Sequence, residues 1–554
     1  MQDPARMIST SFPSVAVVGA GPGGLATALL LAASGLRVHV YEAGPRVGGR
    51  SARISLDGTD QAGRAAQFHF DRGPTFFLMP YVLEEIFAAA GRRLSDYAQL
   101  HRLDPMYRLV MGRAGQEALT IDCTQDVGEM TRRLAQIDAT DARAFATFLS
   151  DNRVKLRRFE PVLRKPFRSA IDLLDPAMLK AGPHLNPTKS VHSYLGGYFS
   201  NPYVKLALSF QTKYLGMSPF KCPSLFSILP FIEYEYGVWH VRGGLNQLMS
   251  AMATACVEMG VKISCNANVQ SVEFDGPRAT GLRLADDPGT LHRHDHVVLN
   301  ADASWALKNL LPAQAQRRCG WTPKRLDSMA YSCSTYMLYA GLRTPPPALA
   351  HHTICISADY QRNIDQISRT GELSDDPSMY FCNPSHLDPT LAPSRCSSLY
   401  VLVPTPNLRD SSRAGVDWVQ AGPRLRRAAL DKLRDLAGVR ESDIACEMQL
   451  TPLDWQAQQI NFGATFNLAH GLGQMLHRRP QHELPGLQGL WLAGGGTHPG
   501  SGLPVIFLSA QIAAKMLCKR LGVGYAGDLL SPAPTRHRGA IAPEVVHANE
   551  PASV

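Results

Sequence analysis

The stretch from Val15 to Glu42, VAVVGAGPGGLATALLLAASGLRVHVYE, constrains the fold more than any other part of the chain. An apolar run, Val15 to Val18, meets a glycine-rich turn. An uncharged segment of helical character follows, and a second apolar strand closes on Glu42. That order is a βαβ unit. Gly19 permits the tight turn, Gly21 lets a phosphate approach the backbone, and Gly24 lets helix and strand pack closely, with Gly23 between them. The helix start offers free N–H groups and its positive dipole end to a pyrophosphate. Glu42, at the end of the second strand, is placed to accept hydrogen bonds from adenosine ribose hydroxyls and disfavours a 2′-phosphate. The unit predicts a dinucleotide site and leaves the dinucleotide open.

At 554 residues the chain exceeds what one core usually supports, which points to two domains. The formal net charge of +9 favours an anionic partner, but charge alone does not separate nucleic acid from an anionic membrane. The eleven cysteines form no CxxC pair, and neither a signal peptide nor an apolar run of membrane-spanning length is recognisable. Reduced thiols and a cytoplasmic location are therefore expected. Cys256 and Cys355 lie in apolar neighbourhoods and read as core residues. His292, His294 and His296 alternate, but nothing nearby completes a ligand set, so a solvated strand edge is expected and no metal site is assigned.

After Glu42, the segment AGPRVGGRSAR allows a second close backbone approach at Gly48 and Gly49, and Arg50 is placed to neutralise a pyrophosphate. Ser55 to Phe70 reads as a hairpin with a polar tip over Asp57 to Gln67, and it leads into FDRGPTFFLMP, Phe70 to Pro80. The series GxGxxG, GGR and D-x-GPT resembles the flavin-dependent carotenoid desaturases of the phytoene desaturase type, within the wider amine oxidase fold. Arg72 departs from the small residue usual there.

The last third carries the strongest local likeness to that family, in Thr451 to Pro480 and in LWLAGGGTHPGSGLPVIFLSAQIAAKML, Leu490 to Leu517. The second of these predicts a strand over Leu490 to Ala493, a glycine turn, and a helix from about Pro504, where proline suits the first turn. The resemblance implies FAD as cofactor. Gly73, Pro74 and Thr75 would lie at the flavin, Gly494 and Thr497 beside its ribityl and phosphate chain, and Gly502, Leu503 and Pro504 at a helix start facing the ring. It also implies that the backbone of Val269 pairs with adenine. The positive end of the helix starting at about Pro504 would stabilise negative charge on the reduced flavin.

Between these segments, Val241 to Gly260 reads as a helix, Val261 to Phe274 as two short strands, and His294 to Ala303 as a strand running into a turn. Tyr331 to Leu342 and Ser398 to Pro406 read as strands and Trp418 to Ala437 as a helix. The expected architecture is α/β: a discontinuous Rossmann-like FAD-binding domain (residues 14–110, 240–303 and 451–522) with an inserted α+β substrate and membrane-associating domain (residues 111–239 and 304–450). Residues 1–13 and 530–554 are expected to be disordered.

Arg153 to Arg168, RVKLRRFEPVLRKPFR, sets seven basic residues against Glu160 and interleaves them with Val154, Leu156, Phe159, Val162, Leu163 and Phe167. Basic heads with apolar teeth suit an anionic bilayer surface; the plainer reading is a solvated helix face. Val191 to Trp239 is rich in aromatic residues and reads as core or as the lining of a long apolar cavity.

The resemblance implies desaturation of a linear isoprenoid polyene, phytoene or its C30 analogue, with oxygen or a membrane quinone as final electron acceptor and no nucleic-acid partner. So apolar a substrate implies peripheral membrane association. The same signatures are shared by polyene saturases, isomerases and end-group oxidases, and the wider fold includes amine oxidases and non-enzymatic prenyl-binding proteins. No catalytic acid or base is assigned.

Overall fold

Five short strands pair in parallel, in the order Leu490–Leu492, His296–Leu299, Ser14–Val18, Arg37–Tyr41 and Lys262–Ser264. Val15, Ala16 and Val17 are wholly buried, as expected for a parallel sheet covered on both faces. The helix Pro22–Ala33 carries no charge because nearly all of it is buried; it packs against Asn246–Glu258 and Leu503–Leu521. Stretches far apart in sequence thus meet in one Rossmann-like layer. The computed structural model describes residues 13–529; the expected leader, but for Pro13, and the expected tail fall outside the described residues.

A second sheet runs in the order Ile444–Leu450, Ser334–Leu342, Ser397–Thr405, Met379–Cys382, His352–Ile356, Tyr107–Arg113 and Gln116–Cys123. Its pairs are antiparallel apart from His352–Ile356 with Tyr107–Arg113. The helix Trp418–Ala437 covers one of its clusters, through Trp418, Leu425 and Leu433. Helices including Ala139–Leu163 and Ile228–Tyr236 complete this half. Helix Asn246–Glu258 and strands Lys262–Ser264 and Val269–Asp275 fall where the pattern places them. The hairpin pairs Arg53–Thr59 with Ala65–Asp71, so its tip is shorter than the polar composition suggested.

Two expectations change. The three histidines do not form a solvated strand edge: His296 is buried in the parallel sheet, accepting a hydrogen bond on Nδ1 from Trp491 Nε1 at 3.2 Å. His294 Nε2 meets the Tyr41 hydroxyl at 3.0 Å, outside any strand. The basic run Arg153 to Arg168 is only in part a free face: Arg157, Arg158 and Arg168 are exposed, but others are engaged. Arg153 pairs with Glu235 at 2.7 Å and Arg164 with Glu85 and Glu160, while Lys155 is buried against Ser227 Oγ. Leu156, Phe159, Val162 and Phe167 are core residues. The periodicity that looked like teeth for a bilayer is the buried stripe of an amphipathic helix.

Candidate functional site

The glycine turn hangs on the second strand of the parallel sheet. The Gly19 amide donates to the Tyr41 carbonyl at 2.7 Å, and the Gly48 amide to the Ala20 carbonyl at 2.8 Å. Glu42 accepts the Ala20 amide on Oε2 at 2.7 Å and the Gly44 amide on Oε1 at 2.8 Å. Gly19 adopts φ +100°, which a side chain would resist. A Cβ on Gly24 would lie 2.0 Å from the Gly19 carbonyl oxygen, so the third glycine serves close packing. Asn300, at the end of strand His296–Leu299, reaches into the turn: its Nδ2 donates to the Gly19 carbonyl at 3.3 Å, and its Oδ1 lies 2.4 Å from where a Gly23 Cβ would be.

The segment after Glu42 folds over this turn. Arg50 donates from Nη1 to the Thr465 carbonyl at 2.7 Å; burial lowers its pKa and the charge of Asp302 works the other way. Burial raises the carboxyl of Asp302, against the pull of Arg50 and of the backbone amides around it. A Cβ at Gly73 would lie 2.7 Å from the Arg50 carbonyl oxygen. Arg72 lies between these segments, with Nη1 3.1 Å from Gln458 Oε1 and its carbonyl accepting from the Tyr339 hydroxyl. Buried Asp71 accepts from the amides of Leu245 and Asn246, both at 2.8 Å, and from Asn246 Nδ2, fastening the hairpin to the helix start. Thr75 Oγ1 meets the hydroxyls of Tyr380 and Tyr400.

The carboxyl-terminal turn completes the enclosure. Gly502, at φ +108°, caps the helix Leu503–Leu521 without any side-chain hydrogen bond. The helix Pro22–Ala33 likewise begins at Gly21 with no side-chain cap and no acidic residue in its first turn. Two uncapped helix starts therefore face one cavity, each presenting unpaired N–H groups.

That cavity has a volume of about 820 Å³. Every sequence-predicted residue lines it except Gly24 and Thr497: Gly19, Gly21, Gly23, Glu42, Gly49, Arg50, Gly73, Pro74, Thr75, Val269, Gly494, Gly502, Leu503 and Pro504 are all present. Thr497 is wholly buried behind the lining, its carbonyl 3.3 Å from Arg479 Nε. The same cavity is walled by Leu156, Phe159, Phe226, Ile232, Ile354 and Met379 from the second half of the molecule. Asn300, Asp302, Gln458, Tyr380 and Tyr400 also line it, and sequence reasoning missed them. Asn300 and Asp302 lie just past a recognisable strand; Tyr380 and Tyr400 carry no spacing signal, since separate strands bring them together.

Residues 22–518 match the family described as flavin containing amine oxidoreductase. The chain is 38% identical over 509 residues to a 4,4′-diapophytoene desaturase (4,4′-diapolycopene-forming) of Methylomonas sp, covering 91% of this chain and 95% of that protein. It is 37% identical to an all-trans-zeta-carotene desaturase of Myxococcus xanthus, over 92% of this chain and 94% of the relative. The solved structure of cyclohexylamine oxidase from Brevibacterium oxydans superposes with a TM-score of 0.54 at 16% identity, covering 92% of this chain and 100% of that one, and shares the fold. The chain belongs to the flavin-containing amine oxidoreductases and, within them, to the carotenoid desaturase family; it is an FAD-dependent oxidoreductase.

Proposed function

We propose that the chain desaturates a linear isoprenoid polyene of the phytoene or diapophytoene type, with the FAD and the polyene sharing the cavity. The observation that carries this reading is the joining, in one cavity, of a polar cradle to a wall of aliphatic and aromatic side chains. The cradle suits FAD. Its two uncapped helix starts attract anionic groups, and Glu42 keeps carboxylate lone pairs for ribose hydroxyls. Thr465 Oγ1 and Asn467 Oδ1, both buried in residues of the lining, have no hydrogen-bond partner among the described residues. The residues from Gly19 to Glu42 would hold the adenosine and pyrophosphate, with Val269 at the adenine. Gly49, Arg50, Gly73, Pro74, Thr75, Gly494 and Gly502 to Pro504 would hold the flavin part, with Gly24 and Thr497 packed behind. The parallel-sheet half then acts as the FAD-binding domain and the seven-stranded half as the substrate domain.

FAD, when bound, supplies the two-electron oxidation. The chain's own residues hold the carbon chain in place and exclude water. Six apolar side chains from five elements wall the cavity beside the cradle, which favours a hydrocarbon.

Burying some thirty carbons represents more than about 20 kcal/mol of transfer from water at ~0.8 kcal/mol per CH2, so the substrate must come from lipid. No helix among the described residues is long and apolar enough to cross a membrane. The bilayer contact we favour lies just past the basic run: Ile171, Leu174 and Leu179 are 76%, 68% and 59% exposed. Leu179 lies on the helix Pro176–Leu185, which packs beside the helix that carries exposed Arg157 and Arg158, and Ile171 and Leu174 lie on the turn Ala170–Leu174 packed against Pro176–Leu185, with exposed Arg168 and Lys180 close in sequence. The deciding experiment expresses the chain in cells supplied with the C30 or the C40 precursor and reads pigment spectra. Extended conjugation with one of them is expected, and no colour with either overturns the reading.

A further inference from the structure

Dehydrogenating a CH2–CH2 segment gives two electrons and one hydrogen to the FAD and leaves one proton, which an apolar wall cannot solvate. A buried hydrogen-bonded array leads away from the cavity. Thr75 Oγ1 lies 2.7 Å from the Tyr380 hydroxyl and 2.9 Å from the Tyr400 hydroxyl, and all three residues line the cavity. Tyr400 also reaches the Gly73 carbonyl at 2.9 Å. The Tyr380 oxygen lies 2.6 Å from Nδ1 of His352, a wholly buried ring stacked on Phe76 at 4.2 Å.

Behind His352 the array continues. His351, 5% exposed, has its ring centroid 4.3 Å from that of His352 and 4.8 Å from that of His240. His240 Nε2 is 2.9 Å from Asp388 Oδ2. His386, on the short turn Pro384–His386, is exposed and close enough for its charge to bear on His351. Among the described residues, His352 Nε2 and both ring nitrogens of His351 are buried without a hydrogen-bond partner. Leaving such atoms unpaired is unfavourable, and packing alone does not explain it.

We infer that Tyr380 and His352 remove the proton released in desaturation, with His351 and His386 as its way to solvent; the inference rests on the desaturase reading. With Nδ1 of His352 as acceptor, Tyr380 donates its hydroxyl proton there and keeps an oxygen lone pair for the cavity. As the substrate C–H bond breaks, its electron pair becomes the new C=C π bond and its proton bonds to the Tyr380 oxygen. The former phenolic proton passes to His352 Nδ1. The imidazolium sheds its Nε2 proton toward His351, across a gap that one water or a ring rotation spans; this leaves a neutral Nδ1–H ring, and proton exchange with water restores the resting Nε2–H tautomer before the next turnover. No electrons move in these transfers beyond the pair already given to the FAD. Tyr380 is the catalytic residue, and His352, acting through it, the positioning residue.

Burial, with the charge of His240, pushes the pKa of His352 well down, so the resting ring is a neutral acceptor. Burial, with His352, His240 and His386, does the same for His351. The carboxyl of Asp388 is raised by burial but lowered more by hydrogen bonds from His240, Thr390 and the Gly243 amide, which leaves it ionised beside His240. Cys382, whose sulfur lies within 4.8 Å of one ring nitrogen of each of His351 and His352, has its thiol pushed up to about 12 by burial and remains protonated.

The test uses the full-length holoenzyme as wild type, Tyr380→Phe and His352→Gln. Both variants are expected to keep their FAD and to slow desaturation by roughly 10²-fold or more, with the wild-type solvent deuterium isotope effect on product formation lost in Tyr380→Phe. A second measurement needs no substrate. In ¹⁵N-histidine-labelled apoprotein, His352 is expected as a neutral Nε2–H ring whose Nδ1 resonance shifts on Tyr380→Phe. Wild-type rates and isotope effects in flavin-loaded variants overturn the inference, as does a cationic or Nδ1–H His352, or one equivalent of metal that disappears with His352→Gln. If the wild type is inert toward every polyene while the NMR signature is present, the desaturase reading fails and the Tyr380–His352 acceptor pair stands.

Discussion

Glu42 Oε2 accepts the Ala20 amide at 2.7 Å, so the acidic end of the second strand holds the glycine turn in shape. The other oxygen holds Gly44 at 2.8 Å. Glu42→Gln keeps the size but presents a donor to one of these two amides. Charge-assisted bonds of this kind contribute about 1.5–3 kcal/mol each, so FAD affinity is expected to fall roughly 10- to 100-fold. Titration of apoprotein while following flavin fluorescence measures this, and unchanged affinity would remove Glu42 from the adenosine end.

Gly24→Ala and Gly35→Ala separate two uses of glycine. At position 24 a methyl group would sit 2.0 Å from a backbone oxygen, and the strand or helix must move. At position 35, where φ is +86°, nothing among the described residues lies within 4 Å of an added Cβ, and the substitution meets backbone strain. Gly35→Ala is expected to cost about 1 kcal/mol. Gly24→Ala is expected to cost about 3 kcal/mol or more, with loss of bound flavin. Denaturant midpoints and the visible flavin absorbance distinguish the two.

The sequence-predicted half of the site is the half built from local pattern. Gly19 to Glu42 is one contiguous unit whose steric demands are written in residue type, and Gly502 to Pro504 is another. Asn300 was illegible because it acts from a strand that pairs with Ser14–Val18 across more than 280 positions, and an asparagine after a strand has no fixed meaning. Tyr380 and Tyr400 converge on Thr75 through strand pairing that no spacing encodes. Arg153 to Arg168 failed in the opposite way: its pattern was clear, but an amphipathic helix reads alike whether its apolar stripe meets lipid or, as here, the protein's own core.

Glu233 is wholly buried in the helix Ile228–Tyr236, where Tyr107 donates to it at 2.7 Å and Gln211 at 3.1 Å. Burial pushes its carboxyl up from 4.5 to about 7 despite those bonds. Below about pH 4.5 it is protonated in folded and unfolded chains alike. From there to about pH 7 the unfolded chain ionises while the folded one does not. Stability therefore falls with rising pH across that window, by on the order of 3 kcal/mol, and levels off above it. Glu233→Gln lacks this titration. The difference in unfolding free energy between variant and wild type is expected to move in the variant's favour between pH 5 and pH 7.5, and a constant difference would show that the group titrates normally.

The exposed apolar trio Ile171, Leu174 and Leu179 gives the membrane reading a direct test. All three side chains are more than half exposed, so replacing each by Asp is expected to change stability by no more than about 0.5 kcal/mol. At a bilayer the same changes are large, since each removes an apolar insertion and adds a charge opposed by anionic headgroups. Co-sedimentation with phosphatidylserine-containing vesicles is expected to fall at least tenfold for the triple variant. Arg157→Glu with Arg158→Glu is expected to weaken binding more at low than at high salt, because those side chains are exposed and act through a screened field. Binding that survives the triple substitution would place the lipid contact elsewhere on the protein. Binding lost only on charge reversal would mean that the surface is held by electrostatics, with the apolar trio outside the lipid.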